Sequence, residues 1–276
     1  MNEINSTKHG VSPREFVNRI MIYPFLIPHI VAYFLTHRTW VLDQFYVIRS
    51  TLNGPSLNGG LKLALTGNSK VLFPVSEDAN FDDVFIRNVY YPFHAERNDI
   101  IFDVGAHMGF FTVKNAKNVK RVLSFEPDPF NFGFLKNNIK QNALKNVDCF
   151  NIGLGDKDEC LYLKMAYGHG RSSISKEETG ISVPVKTIDS LTDELMVAPT
   201  VIKIDTEGYE MPILKGAIRT MERYSPTLVI AAYHYPGEID EVTNFLRDRG
   251  YSGYIYSVPL VLQTEFEKYV YAYKKS

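Results

Sequence analysis

With 276 residues, 45% hydrophobic and 22% charged, the chain has room for one large domain or a core domain with an appendage. Its 30 basic and 31 acidic residues leave a net charge of −1. That balance argues against a nucleic-acid substrate, because neutralising phosphates takes a cluster of Lys and Arg.

The first predicted feature is the apolar run at residues 16–35, FVNRIMIYPFLIPHIVAYFL. It has the length of a bilayer span, but Arg19, Pro24, Pro28 and His29 interrupt it, and it starts too late for a typical signal peptide. It reads as a pair of short helices packed on the main domain, with peripheral membrane contact as the alternative. A Gly/Asn/Ser/Pro-rich connector, Asn53 to Gly60, leads into an expected hairpin over Leu61 to Val75, turning near Gly67-Asn68. The boundary therefore falls near residue 80: 1–80 as helical appendage and hairpin, 81–276 as the main domain. Asp82 to Phe93 reads as a helix or entry segment.

From Ile100 the pattern alternates strand and helix. Strands are expected at Ile100–Asp103, Arg121–Phe125, Val147–Ile152, Val201–Asp205 and Thr227–Tyr233. Helices are expected at Gly109–Lys117, Pro129–Asn142, Pro212–Arg223 and Glu238–Arg249. A hairpin-like insertion, Cys160 to Val185, interrupts the rhythm, and Tyr254–Val258 and Tyr269–Tyr273 suit an antiparallel pair at a sheet edge. This βαβ order implies a parallel sheet covered on both faces, with any ligand beyond the carboxyl ends of the strands. Cys149 and Cys160 have no metal-type spacing and read as buried thiols in a reducing, cytoplasmic compartment.

The most informative stretch is Ile100 to Thr112, IIFDVGAHMGFFT. An apolar strand that passes through glycines into a helix start lets the backbone approach a nucleotide closely. The spacing from Asp103 through Gly105 to Gly109 is D-x-G-x-x-x-G, not the G-x-G-x-x-G of a pyrophosphate-binding turn. It favours S-adenosylmethionine over NAD and argues against a dehydrogenase. Glu126, 21 residues after Gly105 at the end of the second strand, is placed to accept ribose hydroxyls. Asp156 reads equally as an adenine contact or a turn residue.

The segment VIKIDTEGYEMPILKGA puts Asp205, Glu207 and Glu210 within six residues at a strand end. Carboxylates so placed can bind a divalent cation, cradle a sulfonium or supply a base; helix-start acids stabilised by the macrodipole are the plainer alternative. Tyr233-His234 ends the next strand, where a histidine can take a proton near neutral pH. His107, inside the glycine turn, shapes the loop and contacts the donor. His169 and Arg171, in YGHGRSSIS, suit an acceptor bearing hydroxyls or a phosphate.

Together DVGAHMGFFT, FEPDP, NIGLGDK, VPVKTIDSL, IKIDTEGYE with LKGA, and AYHYPGE resemble, in order, the FkbM-type family of S-adenosylmethionine-dependent methyltransferases over roughly Asn98 to Tyr271. The resemblance implies a class I Rossmann-like α/β fold, with a mostly parallel seven-stranded sheet and an antiparallel terminal strand. It implies O-methylation of a hydroxyl on a saccharide, glycolipid or natural-product acceptor, with a donor-binding, non-catalytic scaffold as the alternative. By position, Asp103, Gly105, His107 and Gly109 would form the donor turn and Glu126 would hold the ribose. Asp205, Glu207 and Glu210 would line the reaction edge, with His234 nearby and Asp205 or His234 as the base. Many relatives have Asn where His107 stands, and some carry an acid near Ala232.

Overall fold

The computed structural model describes residues 60–164, 173–175, 180–259 and 266–274. The apolar run at 16–35, most of the connector before Gly60, and His169 and Arg171 lie outside them. A hairpin, β1 (Leu61–Thr66) and β2 (Ser69–Pro74), turns at Gly67-Asn68 and leads to helix α1 (Asp78–Phe85). Strand β3 (Ile100–Val104), α2 (Phe110–Asn115), β4 (Arg121–Phe125), α3 (Pro129–Gln141) and β5 (Val147–Phe150) follow. Next come β6 (Gly153–Leu154), β7 (Glu159–Lys164), β8 (Ser173–Ser175), β9 (Ile181–Lys186) and α4 (Ile188–Leu195). Strand β10 (Val201–Ile204), α5 (Glu210–Lys215), α6 (Ile218–Tyr224), β11 (Thr227–Ala231), α7 (Glu238–Arg247), β12 (Ser252–Pro259) and β13 (Phe266–Tyr273) complete the order.

Seven strands form one sheet in the order β12-β13-β11-β10-β3-β4-β5. Neighbours from β11 to β5 are parallel, and β13 runs antiparallel to both β11 and β12. This is the mixed α/β sheet of a Rossmann-like methyltransferase fold. The central strands are nearly all apolar because helices cover both faces, so alternate residues enter different cores. Ile101 and Val201 face the core built on Phe73, Phe81 and Phe110, while Phe102, Val104, Ile202 and Ile204 face the other.

The β1–β2 hairpin is welded to the first core. Val71 and Phe73 are fully buried, and the Phe73 ring stacks on Phe81 at 4.8 Å and meets Phe110 edge-on at 5.4 Å. Asn138 of α3, itself fully buried, completes the weld by acting as a false strand. Its Oδ1 accepts from Leu72 N at 2.8 Å, and its Nδ2 donates to Leu72 O at 3.0 Å and Met108 O at 2.8 Å. Replacing Asn138 by leucine orphans those buried groups, and chemical denaturation is expected to show a loss of about 2–4 kcal/mol. An unchanged unfolding midpoint would remove Asn138 from this role.

Several local expectations need correction. The helix expected over Pro212–Arg223 is two, α5 and α6, broken where Gly216 crosses Gly155; a Cβ on Gly216 would lie 2.0 Å from Gly155 O. The helix expected within Asp82–Phe93 begins at Asp78 and ends at Phe85. The insertion is more than a hairpin: β6, β9, β7 and β8 form their own four-stranded sheet. Nor are the thiols buried. Cys149 is half-buried, and Cys160 is exposed because β7 turns Leu161 and Leu163 inward instead. No helix among the described residues is long and apolar enough to cross a membrane.

Candidate active site

A cleft open to solvent lies beyond the carboxyl ends of β3, β4 and β10. Its floor is the turn after β3. Gly105 has φ +72°, and an added Cβ there would lie 1.9 Å from the backbone oxygen of Asp205. Gly109, with φ +83°, leads into α2, and its Cβ position is filled by Leu135 at 2.6 Å. Only glycine lets this turn sit against both the neighbouring strand end and α3.

Glu126 forms one side. It is 6% exposed, and each carboxylate oxygen accepts a backbone N–H at 2.8 Å, Oε2 from His107 and Oε1 from Asp128. Burial pushes this carboxyl up to about 7 despite those two bonds. His107 lines the cleft beside it with φ +52°, and its Nε2 lies 3.4 Å from the buried carboxylate of Glu77. Burial lowers the pKa of this imidazole, so it is neutral. Ile152, Gly153 and Leu154 form the adjoining apolar wall.

Asp205 forms the opposite side, and Tyr90, from the loop after α1, donates its hydroxyl to Asp205 Oδ2. Asp205 Oδ1 lies 3.6 Å from His234 Nε2. Burial alone would raise this carboxyl, but His234, Lys203 and the Tyr90 hydroxyl together hold it down at about 2. Glu207, at φ +58°, and Tyr233 also line this edge.

Behind Asp205 the structure departs from the sequence reading. Glu210 is fully buried and outside the cleft lining; its Oε1 accepts from Thr206 N at 2.8 Å and fastens the loop it follows. His234, expected at the cleft as a base, is wedged behind Asp205 with its side chain 7% exposed. Its Nδ1 lies 3.4 Å from both Glu210 Oε1 and Glu238 Oε2. Burial works against charging the ring, yet Asp205, Glu210 and Glu238 push it up to about 12. The ring is not among the residues lining the cleft, which corrects its reading as a base facing the acceptor.

Asp103 is fully buried beneath the turn instead of facing the cleft. Its Oδ2 accepts from Thr112 Oγ1 at 2.6 Å, and Oδ1 pairs with Lys203 Nζ at 3.2 Å. Asp156 is exposed on the bend after β6 and is not among the residues lining the cleft. The structure thus brings Gly105, His107, Glu126, Asp205, Glu207 and Tyr233 to one cleft. Asp103, Gly109, Glu210 and His234 support it from behind.

Two cleft residues went unread in the sequence. Lys203 has a signal in hindsight, being one cation inside the apolar strand VIKI. Its Nζ, 3% of the residue being exposed, donates to Gly105 O at 2.8 Å and so ties β10 to the turn. Tyr90 belongs to no motif and has no local signal.

Comparison with known proteins adds four findings. A family model described as "Methyltransferase FkbM domain" matches residues 103–252, more than half of the chain. A hexuronic acid methyltransferase, AglP, of Haloferax volcanii is 29% identical over 161 residues, covering 56% of this chain and 64% of that protein. Methyltransferase 1 of Beauveria bassiana is 21% identical over 196 residues, covering 62% and 79%. Among solved structures, the FkbM methyltransferase of Methylobacillus flagellatus has a TM-score of 0.53 and 23% identity, covering 70% of this chain and 48% of that one, a likeness of fold alone. The chain therefore spans about two thirds of the haloarchaeal relative's length and about half of the solved chain's.

Proposed function

The chain belongs to the methyltransferase FkbM domain family, and from that premise we propose that it transfers a methyl group from S-adenosylmethionine to a hydroxyl of a saccharide acceptor. The observation that carries this reading is the glycine turn with a buried carboxylate, Glu126, on one side and an ionised one, Asp205, on the other. The residues fit such a donor. Glu126 would take the ribose hydroxyls, Ile152 and Leu154 the base, and Asp205 the cationic end, with Gly105 and His107 supplying the close backbone floor. When bound, S-adenosylmethionine supplies an electrophilic methyl group.

The chain's own work is alignment and proton handling. Tyr90 donates to Oδ2 of Asp205 and His234 stands 3.6 Å from Oδ1, so the carboxylate is held from both sides at the acceptor edge. A carboxylate held this far down is a weak base, so the proton passes to it late, once methyl transfer makes the acceptor oxygen acidic. Tyr233, exposed at the same edge, offers an aromatic ring, which suits a sugar. The saccharide reading draws on the hexuronic acid methyltransferase relative. A lipid-linked saccharide would give the apolar run at 16–35 a role in peripheral membrane contact.

Calorimetry with S-adenosylmethionine and its demethylated product tests the donor. Glu126→Gln is expected to weaken binding about 10–100-fold, the scale of losing charge-assisted hydrogen bonds. The wild type should also respond to pH. Glu126 titrates at about 7, so below that its proton competes with the ribose; affinity rises from pH 6 to 8 and stays flat in Glu126→Gln. Equal affinity in the variant, or no heat with either ligand, would sink the reading. Labelled donor with glycan fractions and mass spectrometry tests the acceptor, and donor binding without transfer would favour a non-catalytic role.

A further inference from the structure

Four buried polar atoms converge behind Asp205 with no hydrogen-bond partner: both ring nitrogens of His234, Oε2 of Glu210 and Oε1 of Glu238. That is unusual, because a buried imidazole among carboxylates ordinarily closes charge-assisted bonds of about 2.7–2.9 Å. Here the ring nitrogens stand off at 3.4–3.6 Å from Asp205, Glu210 and Glu238. The arrangement has a simple meaning. An imidazole gives one nitrogen to an ion and turns the other to an outer carboxylate, and here Asp205 stands at Nε2 while Glu210 and Glu238 stand at Nδ1.

The geometry points to a divalent-cation site formed by Asp205, Glu210 and His234 at the acceptor edge of the cleft. One ligand atom from each falls within 4.8 Å of the others, drawn from the end of β10, the start of α5 and the segment after β11. Asp205 Oδ2 is already taken by Tyr90, which leaves Oδ1, the oxygen facing His234, as its ligand atom. Glu238 completes the second layer: its Oε2 accepts from His234 N at 2.7 Å and lies 3.4 Å from Nδ1, the arrangement that orients a ligating imidazole. The set differs from the acidic cluster visible in the sequence. Glu207, turned outward at φ +58°, is replaced by His234.

Two carboxylates and an imidazole suit a first-row transition cation better than calcium, which prefers oxygen alone. Behind Asp205 such an ion would fix that carboxylate at the acceptor edge of the cleft. This role rests on the methyltransferase reading; the site itself does not.

The test uses the full chain stripped with EDTA and titrated with MnCl₂, followed by calorimetry and electron paramagnetic resonance. One Mn²⁺ per chain is expected. Asp205→Asn and Glu210→Gln should each weaken uptake at least about 30-fold, and Glu238→Gln about 10-fold, as for other outer-layer partners. Circular dichroism of each variant separates lost ligands from lost folding, and Asp205→Asn serves if Glu210→Gln does not fold. Wild type that binds S-adenosylhomocysteine but takes up no Mn²⁺ at millimolar concentration overturns the metal site and leaves the methyltransferase reading intact. Uptake that is equal in the variants overturns it as well. Uptake lost in the variants with no S-adenosylhomocysteine binding keeps the site and sinks the donor reading.

Discussion

Gly105→Ala is expected to lose donor binding by more than about 100-fold and to unfold at a clearly lower temperature. Alanine held at φ +72° costs about 1–2 kcal/mol before any contact is considered. The larger effect is steric, since its Cβ would lie 1.9 Å from the backbone oxygen of Asp205. That oxygen cannot yield cheaply, because Asp205 N donates to Val104 O at 3.2 Å and Tyr90 fastens the side chain. The two sides of the cleft must therefore move apart. Gly67→Ala is the control: it shares a positive φ, +56°, but has open space around it, so only the backbone cost applies. Scanning calorimetry and donor titration of both variants check this. Equal effects at the two positions would show that strain, not the close approach, makes Gly105 necessary.

Lys203→Met is expected to cost about 3–5 kcal/mol of stability, because it strands the fully buried carboxylate of Asp103 without its cation. The parallel register of β3 and β10 sets Lys203 directly beside Asp103, and the same ammonium donates to Gly105 O at 2.8 Å. Loss of donor affinity should accompany the loss of stability. Adding Asp103→Asn to Lys203→Met removes the stranded charge and should recover about 1–2 kcal/mol, a coupling typical of contacting pairs. Additive losses in denaturant unfolding would show that the two residues do not act as a pair.

How much of this was legible in the chain depends on the range of the interaction. IIFDVGAHMGFFT announces a strand, a tight turn and a helix from a handful of adjacent residues, and the structure has all three in that order. Glu126 was legible for a related reason: its place follows from where β4 ends. The split of the Pro212–Arg223 helix was not, because it depends on Gly216 meeting Gly155, some 60 residues away. Reading Asp103 as a donor contact failed similarly. Its partner Lys203 is 100 positions later and meets it only through strand register.

Alternating burial, glycine spacing and strand-end acids are local in origin, so the sequence by itself determined the Rossmann-like sheet, the nucleotide turn and the family. Tertiary structure alone decided which carboxylates face the cleft and which lie behind it. It placed Tyr90 on Asp205, sank Glu210, and closed Asp205, Glu210 and Glu238 around His234. The reason is physical. Burial and charge pairing are sums over elements that meet only in the fold, and they, more than residue type, set which group at this edge can carry a proton or hold an ion.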